Sequence, residues 1–531
     1  MFRKFVSFMC CITILILCSC TLDNTFMEKE IVILYTGNIE CALTDNIGYD
    51  GLAAYKKQLE DDGDIVLTVD SGNFAYGNAL GAVSKGKISV DIMNKIGYIA
   101  AVPGSNEFAC GKNALYNLAS EANFSLISCN YTNTDTSNSL VSSYIIKKYE
   151  NIKIAFIGIS DPYASASLIK EQNNDLSEYS SESSDSSAKG QVLYKYLQKA
   201  VDDAKFNGAK YIIVLSNINN YSSSHPWSCE SVIKNTYDID AFIDGSAAEA
   251  YECKQIKNNE GATIPLSSAG SSLKGIGKLL ISKKGNIFVN IVDNFNEKNT
   301  EVTKYITNLE QNYNDAMSVS AGTLENKLSL SSDSGNITDS ETNLGDFCAD
   351  ALKNITKSDL ALIVSDSFRS ELNAGTLTSG DLMNVFPFGN YVTKTEMTGK
   401  QIIEALEFGV MDMPKSSLRF LQVSGINYEI DTTLNSPVIM DNEGMFLKLS
   451  GSGRVKNVKI NGTAIDESKN YTVAALSSLS SGNLGFNMFS GNNIYTENTT
   501  DYSAIEAYLK IYKNSGVDYS HSGGNGRIKI N

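Results

Sequence analysis

The sequence predicts a layered α/β fold in two halves joined by a helix. Two observations carry this: short continuous apolar runs suited to buried strands, and amphipathic stretches of helical spacing between them. Ile31 to Tyr35, Ile65 to Val69, Ile152 to Ile159 and Tyr211 to Leu215 are the runs of the first half. A strand buried on both faces loses its polar alternation and reads as such a run. Leu52 to Leu59 and Gln191 to Ala204 are the helix-like stretches between them. The Ser, Asp and Glu-rich stretch from Ser177 to Ser187 predicts an exposed loop.

Val302, Ile306, Leu309 and Tyr313 recur at helical spacing and predict a linking helix within residues 300–324. A second α/β unit over 325–531 is expected from strand-like Leu360 to Val364, helix-like Gln401 to Val410, and strand-like Gly453 to Ile460 and Tyr471 to Ala475. The first unit then spans 31–299, after a signal over 1–20 and a polar tether over 21–30.

The 531 residues allow two to four domains at roughly 100–200 residues each. A formal net charge of −16 argues against a nucleic-acid partner, because phosphate contacts need a basic surface. The chain holds only 2 histidines, His225 and His521, so chemistry that gathers several imidazoles in one pocket is excluded.

Arg3 and Lys4, the apolar run from Phe5 to Leu17, and Leu17-Cys18-Ser19-Cys20 resemble a bacterial lipoprotein signal with its lipobox. The resemblance implies cleavage before Cys20, acylation of its thiol, and a body anchored by lipid on the outer side of the cytoplasmic membrane or in an outer membrane. The run is shorter than the roughly 20 residues of a spanning helix; an ordinary secretory signal is the alternative. The later cysteines, Cys41, Cys110, Cys129, Cys229, Cys253 and Cys348, show no CxxC spacing, which argues against a structural zinc.

Ordered motifs identify a family. Glu341-Thr342-Asn343-Leu344-Gly345-Asp346, Phe386-Pro387-Phe388-Gly389-Asn390, Thr398-Gly399-Lys400-Gln401, Gln422-Val423-Ser424-Gly425 and Gly453-Arg454-Val455 resemble, in order, the C-terminal segments of the 5′-nucleotidases. The resemblance implies an N-terminal metallophosphoesterase-like sandwich and a C-terminal α/β domain of nucleotide-binding type. Asp91 to Tyr98 matches the family in the first half as well.

The family norm is a pair of divalent cations, and this chain departs from it at every expected ligand. In Gly37-Asn38-Ile39-Glu40-Cys41, Asn38 stands for a ligand aspartate and Glu40 for a ligand histidine. In Asp70-Ser71-Gly72-Asn73, Asn73 occupies the place of the aspartate that bridges both metals. In Gly104-Ser105-Asn106-Glu107-Phe108-Ala109, Ser105 stands for a ligand asparagine, Asn106 for the catalytic histidine and Ala109 for its aspartate partner. Asn217 replaces a ligand histidine after Leu215-Ser216, and Ser246 and Ala248 replace two more after Gly245. The implied reading is no resident metal or other cofactor and no catalytic residue; loop residues satisfied by backbone, or a weak hard-cation site on Glu40 and asparagine oxygens, are the two accounts of what remains.

For substrate binding, the resemblance points to Arg369 and Phe388, expected to face one cleft between the halves, with Ser478 and Leu484 where the family has a second aromatic ring and an aspartate. A nucleoside would bind weakly there, and another small ligand is open; a purely structural role for Arg369 and Phe388 is the alternative. Cys41 and Cys110 lie in loops that line one site in the family, so a disulfide between them is one expectation and buried free thiols the other. The function implied is an inactive 5′-nucleotidase-like surface lipoprotein that binds or scaffolds; the alternatives are a phosphoesterase with an atypical site and a purely structural surface protein.

The lipid anchor is checked by metabolic labelling with a fatty acid. Wild type should take up label and Cys20→Ala should not; equal labelling of both would remove the anchor.

Overall fold

The computed structural model describes residues 27–131, 140–162, 186–218, 225–441, 444–480, 482–489 and 494–531. The signal and its Cys20 lie outside these residues, as does most of the predicted 177–187 loop; Ser186 and Ser187 begin the helix Ser186–Phe206.

Two sheets form the first half. One has seven strands, with Ile31–Thr36 and Ile65–Asp70 at its centre, parallel and in register from Ile31 opposite Ile65 to Thr36 opposite Asp70. The other has six, with Tyr211–Asn217 between Ile152–Ser160 and Ala241–Asp244, all parallel. The sheets stack face to face. Ile31, Ile33, Tyr35, Leu67 and Val69 pack there against Ile154, Phe156, Ile213 and Leu215.

Alternate residues of the same strands turn outward. Val32 and Leu34 join the core under the helices Gly48–Asp61 and Lys87–Ile96, while Ile212 and Val214 pack with Leu193, Leu197 and Val201 of the helix Ser186–Phe206. Side chains of a strand point alternately to its two faces, so a strand that feeds two cores must be apolar at every position. The runs of the sequence have this cause. The result is a four-layer sandwich, helices outside and two sheets within.

The helix Thr300–Met317 leaves this sandwich, capped by Asn299, whose side chain accepts from the N–H groups of Glu301 and Val302. Val302 and Ile306 are buried against the first half. The helix is shorter than the stretch in which it was expected. Ser320–Leu324 is a strand, antiparallel to Gly375–Thr378 of the second half. The turn from helix to strand falls in Ser318-Val319-Ser320-Ala321-Gly322, where β-branched, serine and glycine residues weaken helical continuation.

In the second half, the five-stranded sheet runs in the order Leu421–Ser424, Leu360–Val364, Asn470–Leu476, Tyr391–Thr398, Ile494–Thr500. Its strand Leu360–Val364 again divides its side chains: Ala361 and Ile363 enter the core with Phe347 and Leu352, and Leu360, Leu362 and Val364 the core with Ile402 and Phe408. The helix Gly399–Gly409 begins with a capping box, Thr398 and Gln401 exchanging bonds with each other's backbone N–H. Arg527 reaches back from the chain end to the helix Asn343–Thr356, with Asp350 at 2.7 Å and Asp346 at 3.4 Å. Among the described residues no helix is long and apolar enough to cross a membrane.

Burial pushes several carboxyls up. Asp501 is fully buried, accepting from the N–H groups of Asn390 and Tyr502, and its pKa lies at about 8. Asp346 is raised in the same direction by burial, against the lowering effect of Arg527. An unfolded aspartate releases its proton near about 4. Between about pH 4 and about 8 the folded chain therefore binds more protons than the unfolded one, and stability from these groups falls as pH rises through that window. Melting temperature measured from pH 5 to pH 8.5, as an approximate span of that window, should decline, and Asp501→Asn should flatten the decline; an unchanged slope would show that this carboxyl is already ionised.

Candidate ligand-binding site

Four loops meet at the ends of the central strands. The first follows Ile31–Thr36 and holds Asn38, Glu40 and Cys41 at φ 49°, 54° and 59°. Asparagine visits this left-handed region readily; Glu and Cys enter it at a cost that surrounding bonds must offset. Those bonds come from the second loop: the N–H groups of Asn38, Glu40 and Cys41 donate to the carbonyls of Gly72, Asn73 and Phe74 at 2.8, 2.8 and 3.2 Å.

Glu107 ties in the third loop. It is fully buried, and its carboxylate accepts from the N–H groups of Asn73 (3.0 Å), Ala75 (3.0 Å) and Gly104 (2.8 Å). Burial raises its pKa and these three donors oppose the rise. Gly104 is required by contact: a Cβ there would lie 2.2 Å from Asn73 Oδ1. The fourth loop is fixed likewise at Gly245, where a Cβ would lie 2.0 Å from the Ser71 carbonyl oxygen.

The asparagines that face one another across these loops bond among themselves. Asn73 Nδ2 donates to Asn38 Oδ1 at 3.0 Å, and Asn73 Oδ1 accepts from the Asn106 N–H at 3.0 Å. Asn106 Nδ2 donates to the Tyr76 carbonyl at 3.3 Å. Asn217 Nδ2 donates to the carbonyls of Ser71 (3.0 Å) and Gly245 (3.1 Å). Ser105 opens the short helix Ser105–Ala109. Ser246 turns back on Asp244, its hydroxyl donating at 2.8 Å, and Ala248 is exposed.

The nearby acids are engaged elsewhere. Asp70 is buried and bonded to the Thr36 hydroxyl (2.7 Å) and the Gly72 N–H (2.7 Å); burial lifts its pKa to about 8. Asp244 also accepts from the Tyr251 hydroxyl. Neither histidine belongs to the site: His225 Nδ1 accepts from the Trp227 N–H, and His521 is exposed near the chain end. Among the described residues no three His, Cys, Asp or Glu side chains are placed to hold a metal ion.

The second half supplies the opposite wall. Arg369 stacks on Phe388, its guanidinium carbon 4.7 Å from the ring centre, so the two residues expected to share a cleft do meet. Arg369 Nη1 donates to the Asp366 and Phe368 carbonyls, and Nη2 lies 3.5 Å from Asp366 Oδ1. The halves touch directly here. Cys110 Sγ donates to the Phe388 carbonyl at 3.3 Å, and the Ser477 hydroxyl to the Ala109 carbonyl at 2.9 Å. Leu484 sits at φ 56° and packs on the core of the second half, its carbonyl accepting from Arg419 Nε, while Ser478 is half-buried.

The disulfide expectation is corrected: Cys41 and Cys110 are both free and buried. Cys41 sits beside Gly81, with burial pushing its thiol up to about 12, whereas Cys110 faces Phe388. Three contributors escaped the sequence reading. Glu107 stands in the sequence only within the segment Gly104 to Ala109, and its three backbone donors come from two loops, Asn73 and Ala75 in the second and Gly104 in the third. Asp366 has no sequence signal beyond its spacing of three from Arg369. Asp70 gave no sign that it would turn inward.

The fold is that of a two-domain protein, a four-layer sandwich joined through the helix Thr300–Met317 to a second α/β domain. Residues 320–491 match the sequence model described as the 5′-nucleotidase, C-terminal domain. The chain is 28% identical over 274 residues to the trifunctional nucleotide phosphoesterase protein YfkN of Bacillus subtilis, covering 48% of this chain but only 18% of that much longer relative. It is 23% identical over 554 residues to the 5′-nucleotidase of Vibrio vulnificus, covering 95% and 94% of the two chains. The solved structure of a putative 5′-nucleotidase from Staphylococcus aureus superposes with a TM-score of 0.67 at 15% identity, covering 94% of this chain and all of that one (100%). The second half thus matches the 5′-nucleotidase C-terminal domain, and the chain as a whole is similar to 5′-nucleotidases in sequence and fold.

Glu107→Ala would leave three buried N–H groups without an acceptor. A loss of roughly 3 kcal/mol or more is expected in denaturant unfolding; a loss near zero would show that the loops hold without it.

Proposed function

We propose that this chain is a non-hydrolytic member of its family, held on a membrane by a lipid on Cys20, that binds a small ligand in the cleft between its halves. The observation that carries the proposal is the amide network. Two divalent cations held close together repel each other and are strongly hydrated; a bridging carboxylate with anionic or imidazole ligands offsets both costs. Asn73, at the bridging position, is neutral, and both ends of its amide are already bonded, to Asn38 and to the Asn106 N–H. Asn217 donates to two carbonyls, Ser246 is bonded to Asp244, and Ala248 has no donor atom. The residues present do not fit a cation pair.

Such a pair would supply an activated hydroxide at neutral pH. Asn106, where the family motif carries a histidine, offers no imidazole to the reacting group. What remains is suited to binding. Phe388 presents one flat apolar face and Arg369 a planar cation above it. Ser478 and Leu484 stand where the family motif has a second aromatic ring and an aspartate, so a second stacking face worth roughly 1–3 kcal/mol per base is absent, which supports weak binding of a nucleoside or of another small ligand. The phosphoesterase reading is favoured by the names of the relatives, and metal content separates the two.

The purified mature protein should contain no stoichiometric manganese, zinc or cobalt by elemental analysis, and should release no phosphate from nucleoside monophosphates. Two metals per chain, or turnover lost in Glu40→Ala, would establish a working atypical site instead.

A further inference from the structure

Arg369 is the cation of the cleft, and its charge is already answered from two sides. Within its own loop, Asp366 places a carboxylate oxygen 3.5 Å from Nη2, and two donations from Nη1 go to the carbonyls of Asp366 and Phe368. From the other half comes Glu40. Its loop is held over the second loop by the bond from the Glu40 N–H to Asn73 O. Its Cβ lies against Gly77, and the adjoining Tyr76 ring faces Gly389, the residue after Phe388. Glu40 thus stands on the first-half side where Arg369 and Phe388 stand on the second; burial raises the pKa of its carboxyl, and the Arg369 guanidinium is near enough to oppose that rise. Asn38, Asn73 and Asn106 of the same loops carry neutral amides, and the nearby acids Asp70 and Asp244 are bonded within the first half. Around Arg369 the cleft carries two carboxylates and one guanidinium.

An anionic phosphate entering here would meet more negative charge than positive, with Arg369's donors turned to its own loop. A neutral ring system would bring no charge for these carboxylates to repel. We infer that Glu40 and Asp366 act together as a charge gate that makes the cleft select uncharged nucleosides over their phosphates. This deepens, and rests on, the reading of the cleft as a binding site. The gate works by charge alone and involves no bond making or breaking.

The test is titration calorimetry on the full mature chain with uridine, adenosine and their 5′-monophosphates. The proteins are wild type, Glu40→Gln, Asp366→Asn and the double variant, each shown to be folded by its melting curve. The readout is the ratio of the two dissociation constants for each base. Wild type should favour the nucleoside by about tenfold or more, as like charges at short range in a partly buried site require. Each single variant should reduce the ratio, and the double variant should bring it to about one or below it. A ratio that is the same in wild type and double variant, with nucleoside binding intact, overturns the gate and leaves the binding site standing. A wild type that prefers the monophosphate also overturns the gate. Absence of heat with every compound in all four folded proteins overturns the binding reading itself, and the gate with it.

Discussion

A single buried carboxylate organises this end of the molecule. Among the described residues Glu107 has no ion-pair partner; its carboxyl accepts from three backbone N–H groups, of Gly104, Asn73 and Ala75. Hydrogen bonds to a charged acceptor are stronger than neutral ones, and burial makes their loss expensive. The second and third loops are thereby held at a fixed separation, and the first loop is zipped to the second by three further backbone bonds. Nothing in this arrangement asks for a metal ion. The loops keep their shape through backbone and Glu107, which allows the side chains that line them to change chemistry without loss of form.

The left-handed residues make the same separation visible. Asn38 and Asn73 adopt positive φ at little cost, while Glu40 and Cys41 do so against their own preference. Conformation at these positions is imposed by neighbouring loops. Function, in contrast, resides in the side chains the loops present. Asn38 and Asn73 bond to one another, and Asn106 and Asn217 bond to backbone carbonyls. That arrangement is stable because each of these amides finds a partner, and for the same reason it offers little to a hard cation.

The halves complete the cleft between them. The helix Thr300–Met317 packs on the first half through Val302 and Ile306, and Met317 joins Ala79, Ala82, Met383 and Tyr502 in a small apolar cluster spanning both. With Cys110 on the Phe388 carbonyl and Ser477 on the Ala109 carbonyl, this cluster sets where Arg369 and Phe388 stand relative to Glu40. The electrostatic character of the cleft therefore depends on contacts between segments more than 270 residues apart, Cys110 and Phe388 being separated by 278.

By itself, the sequence determined the layered α/β class and the central strands. Ile31 to Tyr35 and Leu360 to Val364 were legible because each feeds two cores and must be apolar throughout. The amide character of Asn38, Asn73 and Asn217 was legible because side-chain identity is read directly from the sequence. Tertiary structure decided the rest. Ser320–Leu324 is a strand because Gly375–Thr378 lies beside it, a partner about 50 residues away that no local pattern announces. Cys41 and Cys110 are free because neighbouring elements turn them to different surroundings. Glu107 is a hub, and Arg369 is hemmed by Asp366 and Glu40, because loops distant in sequence converge. Burial and charge at such points are properties of the assembled neighbourhood, and only the folded chain assembles it.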